Sequence, residues 1–452
     1  MRRPLFFMVS VVLLLLLSCA KELEVTVNRP IVSQDAKVRL LSLDSIQTLA
    51  TELPAVFSDD PLTRSSQTGM IEDLLPLNDF LNVGVTKSED SDGEPTENIY
   101  VVNYADDGGF AVLSADTRME TILAYSDQGN ISDTMNNPGV KMFLEMIPAY
   151  AASRMIEDSS ILPQDKYPPQ TALFLRKEYD GDGPFVPVRW GQYYPFNEGV
   201  PFNNNDHLPF NDKPCPDSPN GYLPAGCVAT AILQIMAANS HPFQFQSGNG
   251  WYTCYWDTWR TYMYGWNFVK DSYDYKAISA LVREIGMAVE MNYSCSGSTS
   301  TIKKANDALR NKFGYATDGV YSYHIDRVMA DLNNKRSIYV RGNATKNWIG
   351  YSDGHAWVID GYKNVYNVYA LYDNFYDENY NLIRQEYVGE LKRKETRWLH
   401  CNYGWDGLGN GYYYTGVFNT EFPAKLDTLT QKPNKFYHYR FKLELIKNIR
   451  RK

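Results

Sequence analysis

The chain has 452 residues, which is enough for two domains with sizeable hydrophobic cores. Its formal net charge is −9 at pH 7, and the sequence contains no dense run of lysine or arginine that could follow a phosphate backbone. Composition and charge therefore exclude a nucleic acid as the expected partner.

The first 18 residues have the pattern of an export signal. Two arginines precede an apolar run that is too short for a membrane-spanning helix, and the run ends in LLSC at Cys19. This ending resembles the lipobox of bacterial lipoproteins, which implies cleavage before Cys19, acylation of its thiol and a membrane tether. A plain secretory signal with an incidental cysteine is the alternative. The acidic AKELE sequence that follows resembles signals for the cell surface, so we expect an exported protein anchored at the outer membrane or the cell surface.

The region from 19 to about 160 alternates between strand and helix patterns. Residues 98–116 are typical of two apolar strands around an Asp-Asp-Gly-Gly turn. Residues 139–157 carry apolar side chains at helical spacing, with a kink expected at Pro148. Residues 158–185 are rich in proline, aspartate and glycine, which predicts an exposed domain boundary that is open to proteolytic cleavage.

The second predicted domain runs from 185 to 452. Apolar side chains at helical spacing predict helices over 227–239, 274–291 and 301–313. Strand patterns follow at 337–341 and 355–360. Helices followed by strands predict an α+β fold with an antiparallel sheet.

Cys227 stands at the start of the first of these helices, directly after Gly226. The unpaired backbone N–H groups and the dipole at a helix start stabilise a thiolate and lower the pKa of the thiol. The preceding glycine would let a substrate backbone approach closely. The position therefore suits a nucleophile, and the alternative is a small buried cysteine that begins a core helix.

Three other segments offer partners for a catalytic thiol. His355, in the strand-like sequence GHAWVIDGY, could exchange a proton with the thiol unless it is an ordinary core histidine. Asn402 could accept the second imidazole N–H, with Trp405 shielding that bond, or could simply be a turn residue. Gln192 could donate an amide N–H to an oxyanion beside the backbone N–H of Cys227.

These segments, in this order, resemble the streptopain family of papain-clan cysteine proteases. The matching sequences are WGQYYPFN, AGCVATAILQIM, MNYSCSGSTS with ALRNKFGY, GHAWVIDGY and NYGWDG. The resemblance implies a papain-like fold, with a helical half and an antiparallel sheet half, for residues 185–452. The sequence GGFAVLSADTRMETILAYSDQGNI resembles the family's inhibitory propeptide. It implies an α+β propeptide domain over 19–160 and a linker over 161–184 that contains the activation cleavage.

The resemblance also assigns catalytic roles: nucleophile Cys227, general base and acid His355, oxyanion donor Gln192, and Asn402 with Trp405 in support of the histidine. Tyr403 departs from the tryptophan that usually follows the asparagine in the family. The long interval between His355 and Asn402 predicts a hairpin that reshapes the cleft or carries a partner surface.

Met291 and Tyr293 are candidates for lining the pocket beside the scissile bond, where they would favour an apolar substrate residue, although both could be ordinary core residues. Five cysteines remain after Cys19, so at least one thiol is unpaired within the monomer. A disulfide at Cys401 is left open. The irregular cysteine spacing gives a zinc site little support.

The sequence thus predicts an exported, lipid-anchored cysteine endopeptidase that is made as a zymogen and forms an acyl-enzyme. We expect no metal and no organic cofactor. Its expected partners are protein or peptide substrates, its own propeptide as an inhibitor, and the membrane that holds Cys19. Two alternatives stay open: a catalytically inactive papain-like surface lipoprotein that binds peptides or host proteins, and a cell-wall peptide hydrolase.

Overall fold

The computed structural model describes ten stretches of the chain: 40–57, 69–81, 96–132, 137–158, 170–200, 215, 222–295, 297–347, 350–419 and 442–452. All of them belong to one unit, Val38–Lys452. The predicted export signal and Cys19 lie outside the described residues.

Apolar residues at helical spacing form helices throughout the described part of the chain. These helices are α1 (Leu43–Phe57), α2 (Pro138–Asp158), α3 (Cys227–Asn239), α4 (Trp256–Trp259), α5 (Tyr273–Ala288), α6 (Ile302–Asn311) and α7 (Ile325–Leu332). Two helix starts are capped by a hydroxyl that accepts a backbone N–H, from Tyr275 to Ser272 at α5 and from Lys304 to Thr301 at α6. None of the helices in the described stretches is long and apolar enough to span a membrane.

The strands vary from short buried runs to long segments with mostly exposed side chains. They are β1 (Ile71–Pro76), β2 (Ile99–Tyr104), β3 (Phe110–Ser114), β4 (Ile122–Ser126), β5 (Gln170–Asp182), β6 (Gln244–Ser247), β7 (Gly250–Thr253), β8 (Tyr315–Ala316), β9 (Gly319–Ser322), β10 (Ile338–Asn347), β11 (Gly350–Tyr376), β12 (Leu382–Asn402), β13 (Gly411–Tyr414), β14 (Lys442–Lys447) and β15 (Arg450–Arg451).

One large antiparallel sheet contains most of these strands, in the order β1-β2-β3-β4-β13-β12-β11-β10-β14-β9, with β5 added beside β11. The N-terminal region, here residues 40–158, supplies the first four strands. Strand β4 pairs with β13, and Tyr125 lies opposite Tyr412. The N-terminal region and the rest of the chain therefore share one continuous sheet.

Two hydrophobic cores lie on the two faces of this sheet. Helices α3, α5 and α6 pack on one face, together with Trp190 and Ala356. Helix α2 packs on the other face, together with Trp357 and Tyr413. This arrangement of helices against an antiparallel sheet confirms the predicted α+β class. It also places residues of strand β11 in alternation between the two cores.

The sequence-based boundaries agree closely with several elements. Helix α3 has the predicted bounds, and α2 extends the prediction by one residue at each end, with Pro148 inside it. Helices α5 and α6 end two or three residues earlier than predicted. The predicted hairpin at 98–116 is formed by β2 and β3.

The segment between His355 and Asn402 forms a long hairpin, as predicted. Strands β11 and β12 pair from Val358 opposite Asn402 as far as Tyr376 opposite Leu382. Strand β5 adds a third strand to this hairpin, with Gln170 opposite Asp373 and Asp182 opposite Tyr362.

Part of the segment predicted as an exposed linker forms strand β5. Residues 170–182 were predicted as exposed chain, but their backbone is paired with β11 along the whole strand. Most of their side chains are exposed, so the segment lacks the apolar alternation by which a strand is recognised. The sequence therefore gave no signal for a strand whose partner lies about two hundred residues away along the chain.

Candidate active site

Cys227 is the first residue of α3, and Gly226 immediately before it has φ +93°. A Cβ on Gly226 would lie 3.0 Å from the Cε of Met291 and from the Cβ of Ser298. Glycine is thus required both by the backbone conformation and by the tight approach of the loop that carries Met291. The thiol stands at the helix start, as predicted.

The environment of the thiol differs from the expectation in one respect. Cys227 is partly exposed as a residue, but burial of its sulfur raises the pKa of the thiol. The backbone N–H of Ala356, the charge of Arg341 and the N–H groups at the start of α3 oppose this effect and favour the thiolate. In this structure desolvation outweighs the helix terminus, so the predicted lowering of the pKa is wrong for this state.

His355 lies on β11 and is 2% exposed. Its Nε2 is 2.9 Å from the carbonyl oxygen of Tyr403. Because a carbonyl can only accept, Nε2 carries the proton and donates it. The imidazole stacks parallel to Trp357, with ring centroids 6.3 Å apart. Burial lowers the pKa of His355 to about 4, against a smaller opposing effect of the Tyr403 carbonyl, so the imidazole is neutral at pH 7.

The two predicted catalytic residues face different cores. Ala356 and Val358 pack in the core of α3, whereas Trp357 and Ile359 pack in the core of α2. Since neighbouring residues of a strand point to opposite faces, His355 points with Trp357 toward α2. No hydrogen bond joins the sulfur of Cys227 to the imidazole of His355 in the described part of the chain. The sulfur of Cys227 instead lies beside the backbone N–H of Ala356, the residue after His355.

The N-terminal region encloses the His355 side of the strand. Phe143 of α2 packs edge-on against Tyr413 at 4.8 Å, and Tyr413 packs in the same way against Tyr403 at 5.3 Å. A Cβ on Gly139 would collide with the Tyr403 ring. The carbonyl that holds His355 is therefore part of a residue clamped by α2.

Asn402 is buried but does not contact His355 through a hydrogen bond. Its Nδ2 donates to the carbonyl of Val188 at 2.9 Å. Its Oδ1 accepts from Nε2 of Gln234 at 2.8 Å and from the N–H of Gly404 at 3.3 Å. In this structure Asn402 instead ties the end of β12 to α3, and the predicted support of the histidine is not formed.

Gln192 lies beside the start of α3. Its carbonyl accepts the N–H of Ala225 at 2.8 Å, two residues before Cys227, and the residue is 8% exposed. Trp405 is partly buried against the core of α2, and its Nε1 has no hydrogen-bond partner among the residues described. The backbone of Gln192 is therefore joined to the segment that leads into Cys227, and its role as an oxyanion donor stays a prediction.

Met291 and Tyr293 have different positions. Met291 is 1% exposed and contacts Gly226 directly. Tyr293 is partly exposed, and its hydroxyl lies against Gly286 of α5, while burial raises its pKa to about 12. Met291 thus borders the nucleophile, whereas the Tyr293 hydroxyl is directed at a neighbouring helix.

Two charged residues near the site received no role from the sequence. Arg341 lies opposite Ala356 in the β10–β11 pair, donates to the carbonyl of Ser300 and stabilises the thiolate of Cys227. Asp406 lies against Gly191, whose N–H it accepts, and burial raises its pKa to about 6. A charge at the end of the apolar strand sequence SIYVR could have indicated a functional role for Arg341. For Asp406, the available indication was its position directly after Trp405.

The remaining cysteines divide into one disulfide and two buried thiols. Cys215 pairs with Cys295, with Cα atoms 5.4 Å apart. Cys254 and Cys401 are free and buried, which settles the open question about Cys401. No cluster of three potential metal ligands occurs in the stretches that the structure describes.

Two models of known protein families match separate parts of this chain. Residues 190–413 match the model of the Peptidase C10 family, and residues 63–150 match that of the Spi protease inhibitor. Streptopain from Streptococcus pyogenes serotype M1 is 25% identical over 430 residues, covering 86% of this chain and 94% of the relative. The thiol protease/hemagglutinin PrtT of Porphyromonas gingivalis is 24% identical over 360 residues, covering 73% of this chain and 35% of the relative.

Among solved structures, a prointerpain A fragment from Prevotella intermedia is similar, with a TM-score of 0.46, 19% identity, and coverage of 80% of this chain and 98% of that chain. The family matches cover both the candidate site and the N-terminal region, in the order that a proenzyme requires. The chain therefore belongs to the Peptidase C10 (streptopain) family of cysteine endopeptidases and carries an inhibitor-type N-terminal domain.

Proposed function

We propose that the protein is an exported, lipid-anchored zymogen whose processed form hydrolyses peptide bonds through an acyl-enzyme on Cys227. Family membership supports the peptidase activity, and the inhibitor-type domain supports the zymogen. The LLSC sequence at Cys19 supports the anchor.

A single observation carries the zymogen proposal. Cys227 and His355 belong to neighbouring parts of one site, but His355 is held on the opposite face of β11 by a residue that α2 clamps. We infer that loss of the N-terminal region removes α2 and opens a path for the imidazole to reach the sulfur.

Each residue then has a role in the reaction. The His355 imidazole accepts the thiol proton, and the Cys227 sulfur attacks the substrate carbonyl carbon. The oxyanion that forms accepts hydrogen bonds from the backbone N–H of Cys227 and the side-chain amide of Gln192. Gln192 can take this role because its backbone carbonyl accepts the N–H of Ala225, two residues before the nucleophile. The imidazolium gives its proton to the leaving amine, and water then hydrolyses the thioester.

Active-site titration tests the reaction. A thiol-directed peptide inhibitor should label the processed protein at Cys227, and Cys227→Ala should abolish both labelling and casein hydrolysis. Cys254→Ala is the matched control because Cys254 is also a free cysteine. Processed protein that is not labelled and does not cleave casein would favour the peptide-binding alternative, which the separation of Cys227 and His355 in this structure also suits. Activity on cell-wall fragments alone would favour the other alternative.

The pairing of β5 limits the range of residues in which we expect the activation cleavage. Cleavage of a backbone that is paired in a sheet requires that it first be released from its partner strand. The full pairing of β5 with β11 therefore supports a cut before Gln170 rather than within 170–182. N-terminal sequencing of the processed enzyme should find β5 retained, and an N-terminus beyond Asp182 would contradict this part of the proposal.

Anchoring and export need their own experiment. Cells fed a labelled fatty acid should incorporate it into the full chain, and Cys19→Ala should abolish incorporation. Protease treatment of intact cells should degrade the protein if it lies on the surface. A labelled Cys19→Ala protein would contradict the lipid anchor, and full protection from the protease would contradict the surface location.

A further inference from the structure

A turn of the N-terminal region pairs with a cationic residue at the edge of the candidate site. Nη1 of Arg189 donates to Oδ1 of Asp127 at 3.0 Å, and Nη2 donates to Oδ2 at 2.7 Å. Nη1 also donates to Oε1 of Gln128 at 2.9 Å. Two parallel bonds of this kind are the geometry in which a guanidinium recognises a carboxylate.

This pair lies close to the predicted oxyanion donor. Arg189 precedes Gln192 by three residues, and a Cβ on Gly407 would lie 2.9 Å from the Cδ of Arg189. The hydroxyl of Tyr264 donates to Oε1 of Gln128 at 3.2 Å from another side. We call the space bounded by Arg189, Tyr264 and Gly407 the arginine niche.

The niche would hold an unpaired charge once the N-terminal region leaves. Arg189 has only 28% of its side chain exposed in the full chain, and Asp127 is the one carboxylate with which it pairs in the described residues. Loss of the N-terminal region removes this carboxylate and leaves the guanidinium donors of Arg189 able to pair with a carboxylate from another source.

The position of the niche indicates which part of a substrate would supply that carboxylate. Met291, a candidate for lining the pocket beside the scissile bond, borders Gly226 together with Ser298. The niche instead lies with Gln192 and with Gly407, two residues after Trp405. Three residues of extended chain span at most about 10 Å, so Arg189 lies within about three substrate residues of the Gln192 backbone.

We propose that Arg189 binds an acidic side chain of the substrate, aspartate or glutamate, at the second or third position on the leaving-group side. Asp127 occupies the same place in the proenzyme and acts as an internal substitute for that side chain. This inference rests on the proposed function, because it names the substrate class of the same site.

Matched peptides test the proposal on the processed enzyme. The peptides carry aspartate or asparagine, and glutamate or glutamine, at each of the three positions after one scissile bond. We expect kcat/KM to be on the order of tenfold higher for the acidic peptides at the second or third position, mainly through KM, because a hydrogen-bonded charge pair is formed in the bound substrate.

Substitutions identify the residue responsible. Arg189→Gln should reduce the acid-to-amide ratio of kcat/KM to about one, and Arg189→Glu should invert the ratio in favour of the amide peptides, because it places a like charge against the acidic side chain. Arg260→Gln is the control, since this exposed arginine bonds to Ser240 and should leave the ratio unchanged. A general loss of packing at position 189 would lower both rates but would not invert the preference.

The outcomes separate the two proposals. Equal cleavage of acidic and amide peptides, an acid preference on the acyl side, or a preference that survives Arg189→Gln overturns the inference and leaves the peptidase intact. Absence of cleavage in both series, by an enzyme that also fails to be labelled at Cys227, overturns the proposed function and the inference with it.

Discussion

The two faces of strand β11 have opposite relations to the N-terminal region. On one face Ala356 and Val358 pack against the helix that starts at Cys227, in a core built entirely from residues after 185. On the other face His355 and Trp357 pack under α2, in a core that the N-terminal region shares. The nucleophile's surroundings are therefore complete without the N-terminal region, whereas those of the histidine depend on it.

This difference suggests how strand β11 can take part in both the inactive proenzyme and the processed enzyme. A residue of a strand cannot move to the other face without a local change of backbone conformation. The core that packs around His355 therefore also keeps its imidazole away from the sulfur of Cys227. The inhibitory domain then acts through packing as well as by covering the cleft. Four experiments test this difference between the two faces.

The largest effect is expected at the nucleophile. Cys227→Ala should lower kcat/KM of the processed enzyme by a factor of about 10⁴ or more, because no other free thiol in the described residues lies at the start of a helix. Casein hydrolysis and peptide kinetics measure this. Cys401→Ala, at a buried thiol in the α2 core, should stay within about tenfold of wild type. Substantial activity in the Cys227→Ala enzyme would place the chemistry elsewhere.

A steric change in α2 should release His355 without touching it. Gly139→Leu places a side chain into the ring of Tyr403, whose carbonyl holds the imidazole. We expect destabilisation of the proenzyme by about 1–3 kcal/mol and faster self-processing. Time courses of processing and thermal unfolding measure the two effects.

Gly250→Ala is the control for this change, because a Cβ there meets only ordinary contacts at 3.8 Å or more and Gly250 lies in β7, outside the α2 core. If Gly139→Leu destabilises the proenzyme but processing is not accelerated, α2 is not what keeps His355 from the thiol.

The buried histidine predicts an acid-sensitive proenzyme. Burial lowers the pKa of His355 to about 4, below the value of about 6.5 for an unfolded histidine, so the unfolded state binds more protons between these pH values. Stability from this group is fully present above about pH 6.5 and is lost as the pH falls toward 4, by at most about 3 kcal/mol.

Thermal unfolding of the Cys227→Ala proenzyme from pH 7.5 to 4.5 measures this loss without interference from processing. His355→Asn should remove the part of the pH dependence that belongs to this group. An identical pH dependence in both proteins would show that His355 does not titrate with the predicted difference.

The smallest effect is expected at Arg341. Its charge opposes the rise in the pKa of Cys227 that burial causes. Arg341→Gln should therefore raise that pKa further and slow alkylation of Cys227 at neutral pH on the order of threefold, whereas Arg341→Lys keeps the charge and should retain most of the rate. The pH profile of alkylation gives the pKa directly. Equal profiles for the glutamine and lysine variants would exclude an electrostatic role.

Local patterns in the sequence predicted several secondary structure elements of this protein. Helix α3 follows from apolar spacing, its start at Cys227 follows from Gly226, and the β2–β3 hairpin follows from a turn between apolar runs. These features depend on residues close together in the chain or on whole matching segments, so one sequence contains enough information for them.

The directions in which the catalytic side chains point depend on contacts between distant parts of the chain. Asn402 bonds to Val188 and Gln234 instead of the histidine, and His355 bonds to the carbonyl of Tyr403. Strand β5 and the Arg189–Asp127 pair likewise join residues far apart in the sequence. The alternation of side chains along a strand predicts that two neighbouring residues lie on opposite faces. Which core covers each face depends on long-range packing. That packing determines whether the imidazole is buried or exposed to solvent.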